Sequence, residues 1–367
     1  MKTISGKYNL IKVMIDEIED TASTQIQAIA NHPAMENSNI VIMPDCHAGA
    51  GCVIGFTQDI SHNDYLIPNL IGVDIGCGVL SLKLGDIHID LNKLDCFIKK
   101  YIPHGFTHRQ QAHKLASDEN FSHYADIGSG SIKKQVGTLG GGNHFIEIGV
   151  DSNGDKWLFI HCGSRNFGKK VAEFYQQVAR KHCLANSIDL PKGTEFLHKK
   201  DEAYDKYLHD LKVTQNMAAL NRKAIASDLL NYLNTEAVSS FDTVHNYIQN
   251  NIVRKGAIAA YEDTYCVIPF NKRDGAAICK GKSNKEWNYS APHGAGRVLS
   301  RNKARKAINP ESVRNEMAAN GIFSTTAHLA VDEAPQAYKD KDIIMNVITE
   351  TVDVVDFVKP IYNFKSF

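Results

Sequence analysis

The sequence predicts a mixed α+β protein with one helical excursion at about 167–235, not an alternating βαβ array, and three observations predict it. Residues 38–85 are apolar and glycine-rich, and the same texture returns at 136–165. Between about 167 and 235, apolar residues recur at helical spacing with charges between them. After Asp242 the strand-like texture resumes.

In chain order, NIVIMPDCHAGAGCVIGFT and LIGVDIGCGVLSLKL read as short buried strands separated by glycine turns. A strand is expected near His144–Val150 and another at Trp157–His161. Phe167–Leu184 and Asp201–Leu233 read as two amphipathic helices. Pro191 and Gly193 lie in their connection, where a helix must break. This pair is expected to cover a sheet, not to stand as a subdomain of its own. VHNYI and GAIAAYEDTYCVIPF read as strands, the glycine turn HGAGR leads into a helix at Ser300–Lys306, and the tail VDVVDFVKPIYNF alternates as a strand does. No repeat of fixed period and no low-complexity linker divides the chain, so residues 1–367 are expected to form a single domain.

Composition narrows the class. At 43% hydrophobic and 22% charged the chain is an ordinary globular sequence, long enough to bury a core without staples. Lys+Arg and Asp+Glu are both 41, so it is no polycation that coats nucleic acid. Any nucleic-acid contact must come from a local cluster of Arg and Lys. The eight cysteines are scattered without a CxxC pair, which suggests a reducing, cytoplasmic setting. MKTISGKYNLIKVMIDEIED lacks the apolar stretch of a signal peptide, and no run of about 18 apolar residues marks a membrane span.

Chemistry-bearing residues sit at glycine turns in five places. In Asp74-Ile75-Gly76-Cys77-Gly78, a carboxylate and a thiol three residues apart converge if the chain turns sharply; the alternative is a capping Asp beside an inert Cys. Gly140-Gly141-Gly142-Asn143-His144 opens a strand with backbone N–H groups that can crowd an anion, or is simply a glycine hairpin. His161-Cys162-Gly163-Ser164-Arg165 puts an imidazole beside a phosphate-shaped guanidinium, or merely caps a strand. His245 in VHNYI is by itself an ordinary strand histidine. In Pro292-His293-Gly294-Ala295-Gly296-Arg297 a histidine at a tight turn can act as a nucleophile toward phosphorus, and Arg297 and Arg301 are spaced to share a helix face. Together these residues are what a metal centre assembled from a folded core requires.

The motifs MPDCHAGAG, GVDIGCG, GTLGGGNHFIE, HCGSR, VHNYI, KGAIAA, HGAGRVLSR and EAPQAYKD, in this order from about Val41 onward, resemble those of the RtcB RNA ligases. The resemblance implies an RtcB-like α+β fold, mixed or antiparallel sheets around a central site for two Mn²⁺ ions. It implies Asp74, Cys77, His144, His161 and His245 as metal ligands, with Cys77 bridging. His293 falls on the histidine that becomes guanylylated, and Asp45 on the carboxylate that orients it. Asn143, Glu147, Arg297, Tyr338 and Lys365 fall on guanylate-contacting positions, and Arg165 and Arg301 on positions facing RNA phosphates. The implied reaction joins a 2′,3′-cyclic phosphate or 3′-phosphate RNA end to a 5′-hydroxyl, consuming GTP, in RNA repair or tRNA splicing. Archease is the partner some members use.

The chain departs from the family pattern in two places. Ile268-Pro269-Phe270-Asn271-Lys272-Arg273-Asp274-Gly275 replaces a small-residue loop, and Trp287–Pro292 replaces a run rich in Cys and Ser. Lys272 or Arg273 is expected to take over phosphate contacts there. Two other classes compete with the ligase. A metal-dependent phosphoesterase that only opens cyclic phosphates needs the ligands but not His293. A non-catalytic RNA-end binder needs neither Cys77 nor His144.

Overall fold

The computed structural model describes residues 1–128 and 131–366. Two large sheets carry the architecture. The first has six strands in the order Lys2–Ser5, Leu10–Val13, Asn39–His47, Ile54–Asp59, Ile252–Lys255 and Asn246–Gln249. Its one parallel pair is Leu10–Val13 with Asn39–His47. The second has seven strands, all antiparallel, in the order Ser239–Val244, Gly78–Gly85, Lys156–Cys162, Phe145–Val150, Val352–Lys365, Gly275–Gly281 and Tyr265–Asn271. The α+β class and the mixed and antiparallel sheets are as the sequence predicts.

The tail strand Val352–Lys365 joins the two halves of the larger sheet. Its first part pairs with Gly275–Gly281 and its last part with Phe145–Val150. Pro360, which has no N–H to give, sits where the register slips. The second register sets Asn363 opposite Glu147 and Lys365 opposite Phe145, so the end of the chain meets the strand that follows the glycine loop.

The two expected helices of the excursion run Arg165–Ala185 and Glu202–Leu233. They pack on each other, with the Tyr175 and Tyr207 rings 4.7 Å apart, and the longer one crosses the strands Lys156–Cys162 and Gly78–Gly85. Ser300 caps the helix Arg301–Ala307, its side chain accepting from Lys303 N. This corrects one sequence expectation. Arg297 lies before that helix, in a bridge with Tyr338, so Arg297 and Arg301 do not share a helix face. Among the described residues no helix is long and apolar enough to cross a membrane.

Candidate active site

Segments far apart in sequence meet around one cavity of about 620 Å³. Its inner wall is a cluster of donors. Asp74, Cys77 and His144 place their ligand atoms within 4.8 Å of one another, as do Cys77, His161 and His245, so the Cys77 thiol belongs to both groups. Its Sγ lies 3.5 Å from His144 Nε2 and 3.3 Å from His161 Nε2, while His144 Nε2 lies 3.0 Å from Asp74 Oδ2. The outer nitrogens are anchored by carbonyls, His144 Nδ1 to Leu139 at 2.8 Å and His161 Nδ1 to Asn143 at 3.1 Å. A ring that donates from Nδ1 turns its Nε2 lone pair inward, the form a cation binds.

Burial opposes the charged form of each of these groups. It holds His161 and His245 well below the ordinary imidazole value, so both are neutral. It also acts on His144, where the Cys162 and Cys77 sulfurs and the Asp74 carboxylate outweigh it and raise the pKa. Burial and Asp74 push the Cys77 thiol up to about 12. A cation would take the place of the proton that His144 and Cys77 otherwise keep. Two metals bridged by one thiolate fit this donor set. Mixed O, N and S donors do not by themselves select manganese over zinc or cobalt.

The glycines of these turns are sterically required. At Gly76, with φ +74°, a Cβ would come within 2.9 Å of the Gln215 backbone, and at Gly163 it would strike Asp74 Oδ1 at 2.2 Å. The long helix supplies a further hold that sequence reasoning missed. Asn221 accepts from Gly137 N and Thr138 N and donates to the Thr138 and Gly163 carbonyls. The next residue, Arg222, is wholly buried, donates to the Gly76 and Cys162 carbonyls, and pairs with Asp242 at 2.7 Å. The excursion therefore does more than cover a sheet, since these two side chains pin three ligand-bearing loops.

His293 stands beside this cluster, its ring centroid 4.9 Å from that of His245. Its Nδ1 lies 2.6 Å from Asp45 Oδ2, which also accepts from His293 N at 3.1 Å. Asp45 is fully buried, and its other oxygen has no hydrogen-bond partner among the described residues. Lys339 clamps the backbone on either side, donating to the Pro44 and Cys46 carbonyls. With Nδ1 held, Nε2 is left as the free nitrogen of a ring that lines the cavity.

The opposite wall is organised by a residue the sequence reading did not single out. Glu333, 1% exposed, accepts from Arg297 Nη1 at 3.0 Å and from the Tyr338 hydroxyl, and pairs with Arg301 Nη1 at 2.6 Å and Lys365 Nζ at 3.1 Å. Burial would raise its pKa, but Lys365, Arg301 and Arg297 override it and hold the carboxyl at about 2. Lys365 also donates to the Asn143 carbonyl at 2.7 Å, and Glu147 accepts from Asn363 at 2.7 Å. Asn143, Glu147, Arg297, Arg301, Tyr338 and Lys365 all line the cavity. Arg165, at φ +59°, folds back so that its guanidinium bonds Thr138 Oγ1 and the Gly105 carbonyl beside Gly140.

Loop 270–275 lines the cavity through Phe270, Asn271 and Lys272, as expected, but its two charges are otherwise engaged. Lys272 is buried and donates to the Ala327 and Ala330 carbonyls, while Arg273 pairs with Asp274 and Glu316. Lys272 therefore lines the cavity with its ammonium already bonded to two carbonyls, and Arg273, outside the lining, ties the hairpin to Glu316.

Comparison with known proteins agrees with this geometry. A family model described as tRNA-splicing ligase RtcB matches residues 25–132 and 116–366. The RNA-splicing ligase RtcB of Escherichia coli (strain K12) is 30% identical over 388 residues, covering 92% of each chain. The tRNA-splicing ligase RtcB of Pyrobaculum aerophilum is 26% identical over 420 residues, covering 88% of this chain and 85% of its own. RNA-splicing ligase RtcB homolog 2 of Entamoeba dispar is 26% identical over 436 residues, covering 93% and 82%. By this match along nearly its whole length, the chain belongs to the RtcB family of RNA-ligating enzymes.

Proposed function

We propose that this RNA ligase joins RNA ends bearing a 2′,3′-cyclic phosphate or 3′-phosphate to 5′-hydroxyl ends, consuming GTP through a guanylylated His293. The observation that carries the reading is that the His293–Asp45 pair faces the same cavity as the donor cluster shared through Cys77. Two Mn²⁺ ions held by Asp74, Cys77, His144, His161 and His245 would offset charge on phosphoryl oxygens.

The chain's own residues do the rest. Asp45 keeps the proton on His293 Nδ1, so Nε2 presents its lone pair to the α-phosphorus of GTP. The Nε2–P bond forms as the bond to pyrophosphate breaks, and Asp45 offsets the positive charge that develops on the ring. Arg297 and Tyr338, steadied by Glu333, bind the nucleotide, while Glu147, Asn143 and Lys365 line the base end. A cyclic phosphate end is first opened by water to a 3′-phosphate and a 2′-hydroxyl; the RNA 3′-phosphate then takes GMP from His293, and the 5′-hydroxyl displaces GMP to close the phosphodiester. Arg301 holds an RNA phosphate at the cavity, and Arg165, outside the lining beside Gly140, holds another further along the strand.

The test is incubation with α-labelled GTP followed by denaturing electrophoresis. Wild type should retain label and His293→Ala should not. A phosphoesterase that only opens cyclic phosphates would leave both proteins unlabelled.

A further inference from the structure

Phe106 is 106% exposed, and among the described residues nothing covers its ring. Exposed aromatics on loose loops are unremarkable, but this loop is anchored. Gly105 N bonds both the Gly140 carbonyl at 2.8 Å and Ser366 Oγ at 3.0 Å, and Arg165 Nη2 holds the Gly105 carbonyl at 2.9 Å. Thr107 closes the turn from the other side, its N–H and hydroxyl both donating to the His104 carbonyl. The backbone that carries the ring is thus held beside the loop that precedes Asn143 and His144.

That glycine loop is open to its neighbours on both sides. Among the described residues, a Cβ on Gly141 would find as its nearest atoms Gly105 Cα at 3.8 Å and Ser366 Oγ at 3.9 Å, and one on Gly142 would find Arg301 Nη2 at 3.9 Å. Arg301, the bare backbone of Gly142 and Gly141, and the Phe106 turn therefore form one continuous strip, with the Arg165 guanidinium beneath it. A single strand needs this alternation of cation and flat apolar face, because its phosphates and bases alternate. A protein partner would need more. Its anchoring side chains require surrounding apolar area that excludes water, whereas the chain neighbours of Phe106 are Gly105, Thr107 and His108.

We infer that Phe106 stacks on a base of the RNA strand close to the end being joined, a contact that extends the substrate site beyond the nucleotide cavity. The inference rests on the RNA-ligase reading. Stacking on one aromatic is worth about 1–3 kcal/mol, so removing it should weaken RNA binding by about 5- to 150-fold.

The experiment is equilibrium anisotropy of a labelled single-stranded RNA ending in a 3′-phosphate. Wild type, Phe106→Ala and Phe106→Trp are compared, with an abasic site stepped inward from the end. Wild type should lose affinity sharply at one abasic position. Phe106→Ala should bind weakly throughout and no longer respond at that position, while Phe106→Trp retains affinity and response. Label transfer from α-labelled GTP to the protein should be unchanged in Phe106→Ala. Wild-type affinity in Phe106→Ala overturns the assignment and leaves the ring to a protein partner. A uniform loss that keeps the abasic response shows a disturbed loop, and overturns it too. If wild type ligates and only these results fail, the ligase reading stands. If wild type neither takes label nor binds RNA, both fall together.

Discussion

Asp45→Asn isolates what the buried carboxylate does for His293. Among the described residues, both hydrogen bonds of the Asp45 side chain go to His293, from N and from Nδ1, and that side chain is wholly buried. Its charge is therefore directed at one ring. Asparagine preserves volume but removes the charge, and its amide can turn N–H toward Nδ1. The charge-assisted bond is worth about 1.5–3 kcal/mol, which alone slows guanylylation about 10- to 150-fold as the ring becomes cationic. An amide donating to Nδ1 also drives the proton onto Nε2, the atom that must attack. An equivalent tautomer error in a hydrolase triad costs about 10⁴-fold, so the expected slowing lies between roughly 10² and 10⁴. The assay is the single-turnover rate of label transfer from α-labelled GTP, with metal content measured on the same samples. Full metal with a slow rate supports the orienting role. Equal rates in mutant and wild type would refute it and leave Asp45 as a cap on the His293 backbone.

Three further outcomes follow from the site. Cys77→Ala removes the only donor common to both groups, so elemental analysis should find both metal positions depleted, and Cys77→Ser should fare little better because a hydroxyl is far less acidic; undiminished metal in Cys77→Ala would end the bridging assignment. Glu147 has its carboxyl raised to about 7 by burial, above the ordinary value of about 4.3, so the native state keeps a proton that the unfolded state releases. Its contribution to stability is fully present below about pH 4.3 and is lost as pH rises through 7; Glu147→Gln should therefore melt higher than wild type at pH 8 and at the same temperature near pH 4, and a pH-independent difference would contradict this. Glu333→Gln leaves Arg297 and Lys365 without their anion and Arg301 with Asp332 alone, and urea unfolding should report a loss of about 3–5 kcal/mol. An unmoved midpoint would mean that the three cations find other partners.

Much of this was legible in the sequence for a physical reason. Asp74, Cys77, His144, His161 and His293 stand at or beside glycine turns, and a backbone that bends this sharply around polar side chains leaves a local signature. The strands and the two long helices showed through their periodicity. What escaped is non-local. Asn221 and Arg222 look like any polar pair on a helix until the fold brings the Thr138 and Cys162 carbonyls against them. Glu333 and Lys339 flank Tyr338 in a motif already noted, yet nothing in their spacing says that one gathers three cations and the other grips the Asp45 backbone. Lys272 and Arg273 mislead in the opposite direction, because charge in a loop reads as available until its partners are visible. The helices Leu91–Tyr101 and Pro310–Ala319 were passed over although Asp90 and Asn309 carry ordinary capping signals before them.

The grip of Asn221 and Arg222 has a thermodynamic consequence. Three loops that bear or adjoin donors are tied to the middle of one 32-residue helix. Undocking that helix releases them all, and assembling the donors in turn selects the docked helix. Cations that bind only the assembled cluster stabilise it by about 2.7 kcal/mol when present at a hundred times their dissociation constant. Through Asn221 and Arg222 that free energy reaches Glu202–Leu233, a helix that contributes no donor to the cluster. The equilibrium for its local opening would therefore follow the free concentration of a cation it never touches.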